Sequence, residues 1–107
     1  MPETKPVTAA VVDMGSNTFH LVIAKVQPPA ITVIDRIREP VRLAAGFDEQ
    51  MCLTEEATDR ALACLHRFGE RLRHIPTDYV RAVGTNAMRK ANHCKDFLDQ
   101  AREQLGH

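Results

Sequence analysis

The stretch Val11-Val12-Asp13-Met14-Gly15-Ser16-Asn17-Thr18-Phe19-His20-Leu21-Val22 decides how this chain folds. An apolar run from Thr8 to Met14 stops at the turn formers Gly15, Ser16 and Asn17, then resumes from Phe19 to Val26. Two short runs rich in β-branched residues predict strands, and so brief a connection predicts an antiparallel hairpin. The near-continuous apolar character of the first run predicts a strand covered on both faces. Asp13 stands at its end, just ahead of the turn. Gly15 lets backbone approach a ligand closely, and successive turn amides can form an anion-binding nest. Ser16, Asn17 and Thr18 add side-chain donors. Mg²⁺ is held by one or two carboxylates together with phosphate oxygens, so Asp13 and this turn have the makings of a phosphate-and-magnesium site. The plainer alternative is a hairpin turn whose Asp and Asn bond their own backbone.

Downstream, Gln27-Pro28-Pro29 breaks the chain, and Ile31 to Arg38, more charged, predicts a third strand near a sheet edge. Residues 40–53 read as an irregular connection with Pro40, Gly46 and a polar tip at Asp48, Glu49 and Gln50. Thr54 then caps a helix with Glu55 and Glu56 in its first turn. Ala57, Ala61, Leu65, Phe68, Leu72 and Ile75 form one apolar stripe, and Pro76 closes the helix. Glu56 and Arg60 make an i,i+4 pair, and Arg67, Arg71 and Arg73 are expected on the solvated face. Tyr79 to Val83 predicts a fourth strand, which after a long helix should run parallel to a neighbour. Helical segments are expected at Ala87–Ala91 and Lys95–Leu105. The order is β-β-β-α-β-α, an α/β pattern.

A second strand end, Gly84-Thr85-Asn86-Ala87-Met88-Arg89, also leads from a small polar turn into a helix. A helix N-terminus favours anions, and Arg89, one turn in, could grip the same anion bidentately. The plainer alternative is a helix capped by Thr85 or Asn86 and a solvated Arg89. If the fourth strand lies parallel to the first, both turns share the carboxyl edge of the sheet, where open α/β sheets bind ligands. Arg42 is expected to face a phosphate or, more plainly, to form a surface salt bridge. His20, on an apolar strand, is expected to pack or cap.

Composition narrows the classes. The chain has 107 residues and a mass of 12.0 kDa, the size of one domain. Its 14 basic residues balance 14 acidic ones, which gives no support to nonspecific nucleic-acid binding or to a polybasic membrane patch. No apolar run reaches spanning length, and Met1 to Thr8 lacks the regions of a secretory signal, so a cytoplasmic protein is expected. Residues 1–7, polar with two prolines, read as a loose tail. Cys52, Cys64 and Cys94 form no C-x-x-C pair and are expected to be reduced; the adjacent His93 and Cys94 are poorly placed for chelation.

Val11 to Val22 resembles the opening of the Ppx/GppA phosphatases, the exopolyphosphatases and guanosine pentaphosphate phosphohydrolases. Their signature is Asp-x-Gly-Ser-Asn-Ser/Thr, then an apolar residue, a basic residue and Leu. The Ser16-Asn17 pair separates it from the Gly-Thr-Thr form of sugar kinases and heat-shock ATPases. Glu39 to Gly46, Leu53 to Ala57 and Arg81 to Arg89 fit the same family, so the resemblance covers residues 9–105. It implies an actin-like, ribonuclease-H-like fold, of which residues 8–107 would be a partial N-terminal lobe, truncated before its fifth strand. It implies hydrolysis of the terminal phosphoanhydride bond of polyphosphate or guanosine pentaphosphate with Mg²⁺. The implied partner is polyphosphate or a guanosine polyphosphate, not nucleic acid or a membrane. The family tends toward dimers, which makes a homodimer an expectation.

Carried over residue by residue, Asp13 matches the acidic residue near the metal and the water. Gly15, Ser16, Asn17 and Thr18 match the first phosphate loop. Thr85, Asn86 and Arg89 match the facing loop that grips the phosphate chain, and Arg42 matches an arginine of the family pattern. The family's water-activating glutamate, on the strand after the last helix, has no match here; Glu103 lies inside that helix. Its second phosphate loop, Asp-x-Gly-Gly-Gly-Ser, is not in the sequence either. The polypeptide alone is therefore expected to have little or no hydrolase activity. An expectation of a different class is a module that binds phosphate or guanosine polyphosphate without cleaving it.

Overall fold

The computed structural model describes residues 5–91 and 97–107, apart from the side chains of Asn86 and Ala87. In chain order the elements are β1 (Val7–Met14), β2 (Thr18–Gln27), β3 (Ala30–Pro40), α1 (Glu55–Leu72), β4 (Val80–Gly84), α2 (Asn86–Ala91) and α3 (Phe97–Leu105). Short 3-10 turns cover Leu43–Ala45 and Thr77–Tyr79. The strands form one sheet in the order β3-β2-β1-β4, with β1 antiparallel to β2 and parallel to β4. This is the meander and crossover expected from the hydrophobic pattern, with charged β3 at an edge.

Hydrophobic burial holds α1 on the sheet. Thr54 caps the helix, its hydroxyl oxygen accepting from the Ala57 amide at 3.1 Å. All six stripe residues, Ala57 through Ile75, are buried. They lie in one core with Ala10, Val12 and Met14 of β1, Phe19, Leu21 and Ile23 of β2, and Phe97, Ala101 and Leu105 of α3. Each large side chain removed from water contributes about 1.5–3 kcal/mol. Glycine at position 69 lets α1 and α3 close in, since a Cβ there would lie 2.6 Å from the Gln104 carbonyl oxygen and 2.9 Å from that of Leu105.

Several expectations are corrected. β1 is not covered on both faces: Ala10, Val12 and Met14 are buried, whereas Val11 is 47% exposed. Among the described residues the helices cover one face, and Val83 of β4 also stays open on the other. β1 begins at Val7, one residue inside the segment read as a tail. α1 ends at Leu72, short of Pro76, because the Ile75 amide bonds the Leu72 carbonyl in a turn at 3.0 Å. β4 begins after a 3-10 turn that takes Tyr79. Cys52 is disulfide-bonded, since scatter along the chain does not determine which cysteines meet in space, and Cys64 is a free buried thiol. Lys95, His93 and Cys94 lie outside the described residues.

Arg67 and Arg71 are not merely solvated. The register of β2 with β3 shifts at Ile23/Ala24, leaving Ile34 as an extra residue. Such a bulge resets which side chains face which side. Asp35, Ile37 and Glu39 thereby stand opposite Ile23, Leu21 and Phe19, on the α1 side. Arg71 pairs with Asp35 at 2.6 Å, and Arg67 takes both oxygens of Glu39. The Arg67 guanidinium holds the Glu39 carboxyl below the usual value of 4.5, against the opposing push of burial. Burial, with Glu39 beside it, pushes the Cys64 thiol up, which makes it an inert core thiol.

A carboxyl whose pKa is lowered by folding contributes stability above its unfolded value and loses it as pH falls through the folded one. Glu39→Gln is therefore expected to lower stability at pH 7 by about 0.5–1 kcal/mol, allowing for the exposure of Arg67. That difference should vanish well below pH 4.5, as urea midpoints at both ends of the range would show.

Candidate functional site

The parallel pairing of β1 with β4 sets Met14 beside Gly84, so the turns that follow them emerge side by side. The contact is direct. Ser16 Oγ and Thr85 Oγ1 are 3.2 Å apart, and the Thr85 amide donates to the Met14 carbonyl at 3.2 Å. Both turns expected to hold phosphate thus meet at one sheet edge. Thr18 opens β2, and Asn86 opens α2 with its side chain outside the description.

The first turn is tight. The Gly15 amide donates to the Thr18 carbonyl at 3.1 Å, and a Cβ on Gly15 would lie 2.8 Å from that oxygen. The carbonyls of Ser16 and Asn17 face a third segment: Val41 and Arg42 donate to Asn17 O at 2.9 and 2.7 Å, and Ala44 donates to Ser16 O at 2.8 Å. Among the described residues the Ser16 and Asn17 amides have no acceptor. A turn with engaged carbonyls and free amides can receive an anion.

Arg42 owes its place to this clasp. Its φ of 54° and ψ of 48° are left-handed, a region sparsely used by residues other than glycine. Strained backbone of this kind persists where surrounding bonds over-determine it. Its side chain is exposed, and among the described residues no carboxylate pairs with it. The sequence marked Arg42 but not its conformation or its hydrogen bond to the first turn, which are tertiary features with no local signal.

Asp13 is exposed on the open face of the sheet, between Val83 on β4 and His20 on β2. Arg89 is exposed on α2. With Met14, Gly84, Thr85, Met88 and Leu105 it lines a cavity of about 620 Å³ on the helix-covered face. Asp13 and this cavity therefore lie on opposite faces, and the two turns bridge them. Asp13 brings one carboxylate. Among the described residues no cluster of three or more His, Cys, Asp or Glu could cage an ion. That donor set suits Mg²⁺, which takes one or two carboxylates and fills its shell with water and phosphate oxygens.

His20 is the residue whose place the sequence does not explain. It neither packs fully nor caps: it is half-buried, and its Nε2 is buried without a hydrogen-bond partner.

The mixed sheet, with a small-residue turn after each of the parallel strands β1 and β4, has the actin-like fold of the Ppx/GppA structures on which it superposes. The model of the Ppx/GppA phosphatase family matches residues 22–107, from within β2 onward. The chain belongs to the Ppx/GppA phosphatase family. It is 43% identical over 98 residues to a guanosine-5'-triphosphate,3'-diphosphate pyrophosphatase of Pseudoalteromonas atlantica, covering 92% of this chain and 20% of the relative. It superposes on an exopolyphosphatase from Cytophaga hutchinsonii with a TM-score of 0.79 and 31% identity, over 92% of this chain and 31% of that one. A Ppx/GppA enzyme from Aquifex aeolicus shares the fold, with a TM-score of 0.82 at 23% identity over 96% of this chain and 34% of that one. The chain thus spans about a fifth of the length of the curated relatives it matches. Among the described residues no helix is long and apolar enough to cross a membrane.

Proposed function

We propose that this chain is the phosphate-gripping part of a hydrolase that removes terminal phosphates from polyphosphate or guanosine pentaphosphate. By itself it binds such chains and does not cleave them. The observation that carries the reading is the 3.2 Å contact between Ser16 Oγ and Thr85 Oγ1, which joins the two turns into one polar edge. Ser16 and Asn17 amides with the Thr18 and Thr85 hydroxyls receive phosphate oxygens, and Arg89 and Arg42 supply the cationic clamp. Asp13 holds Mg²⁺, which when bound neutralises charge on the phosphate oxygens. The relatives' names support both substrates. Both present the same terminal phosphoanhydride.

Calorimetric titration of the chain with polyphosphate and Mg²⁺ tests this. Binding is expected. Arg89→Ala should weaken it about tenfold or more, the scale of a charge-assisted hydrogen bond, and Asn17→Ala by less. Binding that is unmoved by both changes places the phosphate elsewhere, and no binding at millimolar ligand removes the reading.

A further inference from the structure

We infer that His20 is a positioning residue of this site: its Nε2 supplies the hydrogen bond that orients the Asp13 carboxylate when ligand and Mg²⁺ are bound. The inference rests on the phosphate-site reading above. Asp13 and His20 are direct partners across the β1–β2 ladder, so their side chains share the open face of the sheet. Val83 flanks Asp13 on one side, and Arg38 stands opposite His20 on the other. In this row Asp13 is the one acceptor for an imidazole N–H. Yet Nε2 is buried and bonds nothing.

A buried nitrogen without a partner carries its desolvation penalty uncompensated, and such groups in native proteins call for a reason. Packing is not the reason, because an aromatic hydrocarbon of similar size would fill the space without the penalty. Capping is not the reason either, since no acceptor is engaged. What remains is a bond made only in the working state. An ionised carboxylate is acceptor-only, so the role assigns the proton to Nε2. The site accepts a local loss of stability to keep that donor ready, as functional positions do.

The test compares the wild-type chain with His20→Phe and His20→Gln by urea unfolding and by titration with polyphosphate, in Mg²⁺ and again in EDTA. His20→Phe is expected to keep or raise the urea midpoint while weakening Mg²⁺-dependent binding about tenfold or more. His20→Gln, whose amide nitrogen reaches the region of Nε2, should restore most of the affinity. In EDTA the three proteins should bind alike, because Asp13 then has no ion to hold. A fall in midpoint with His20→Phe, or a Gln variant no better than Phe, makes His20 a packing residue and overturns the inference. Wild-type binding matched by His20→Phe overturns it alone, whereas no wild-type binding overturns the phosphate-site reading and the inference with it.

Discussion

Incubated with long-chain polyphosphate and Mg²⁺, the 107-residue chain is expected to release orthophosphate no faster than buffer. Phosphoryl transfer depends on positioning and on charge supplied around the whole transferring group. In this chain the donors lie on the turns after β1 and β4, and Asp13 is the carboxylate beside them. Under the proposed reading Asp13 is taken by the metal, which leaves no general base for the water among the described residues of the two turns. A missing base costs a factor of about 10²–10⁴, and each missing donor on the facing side about 10²–10³ more. The combined deficit is on the order of 10⁴ or larger. Turnover at rates typical of enzymes, about 1 per second or faster, would mean that this segment contains a complete centre.

Phe68→Ala is expected to have the largest effect on the fold. Phe68 is fully buried at the middle of the α1 stripe, in the same core as Val12, Leu21 and Phe97. Truncating a buried phenylalanine removes its burial and leaves a cavity, at about 3–5 kcal/mol. The total stability of a chain this size is about 5–15 kcal/mol. A sheet covered by helices on one face lies toward the lower end, so the variant should be partly unfolded at 25 °C. Circular dichroism and a urea titration would show a midpoint shifted by much of its range; an unchanged midpoint would mean that α1 does not anchor the sheet. Arg89→Ala, by contrast, should leave the midpoint in place, because Arg89 is exposed.

Much of this was legible in the sequence, for physical reasons. The stripe from Ala57 to Ile75 has helical period, and each of its members is buried. The turn at Gly15-Ser16-Asn17 is too short for anything but a hairpin, and the long α1 forces a crossover, so the adjacency of the two polar turns followed from topology. What was hidden depended on partners remote in sequence. The open face at Val11 could not be read from β1, because an apolar run does not say what covers its second side. The pairing of Arg67 and Arg71 with Glu39 and Asp35 depends on the bulge at Ile34, which no local pattern announces. The left-handed Arg42 is set by its bond to Asn17, 25 positions away by the numbering, and the unsatisfied His20 Nε2 is likewise a fact of three-dimensional surroundings.

The most direct test of the central claim, that the turns after β1 and β4 act as one phosphate site, is a ¹H–¹⁵N chemical-shift titration of the chain with polyphosphate and Mg²⁺. Amides of Gly15 to Thr18 and of Gly84 to Arg89 are expected to shift together, along one binding curve, with the α1 amides unmoved. Shifts confined to one turn, or the two turns responding with different affinities, would contradict a shared site.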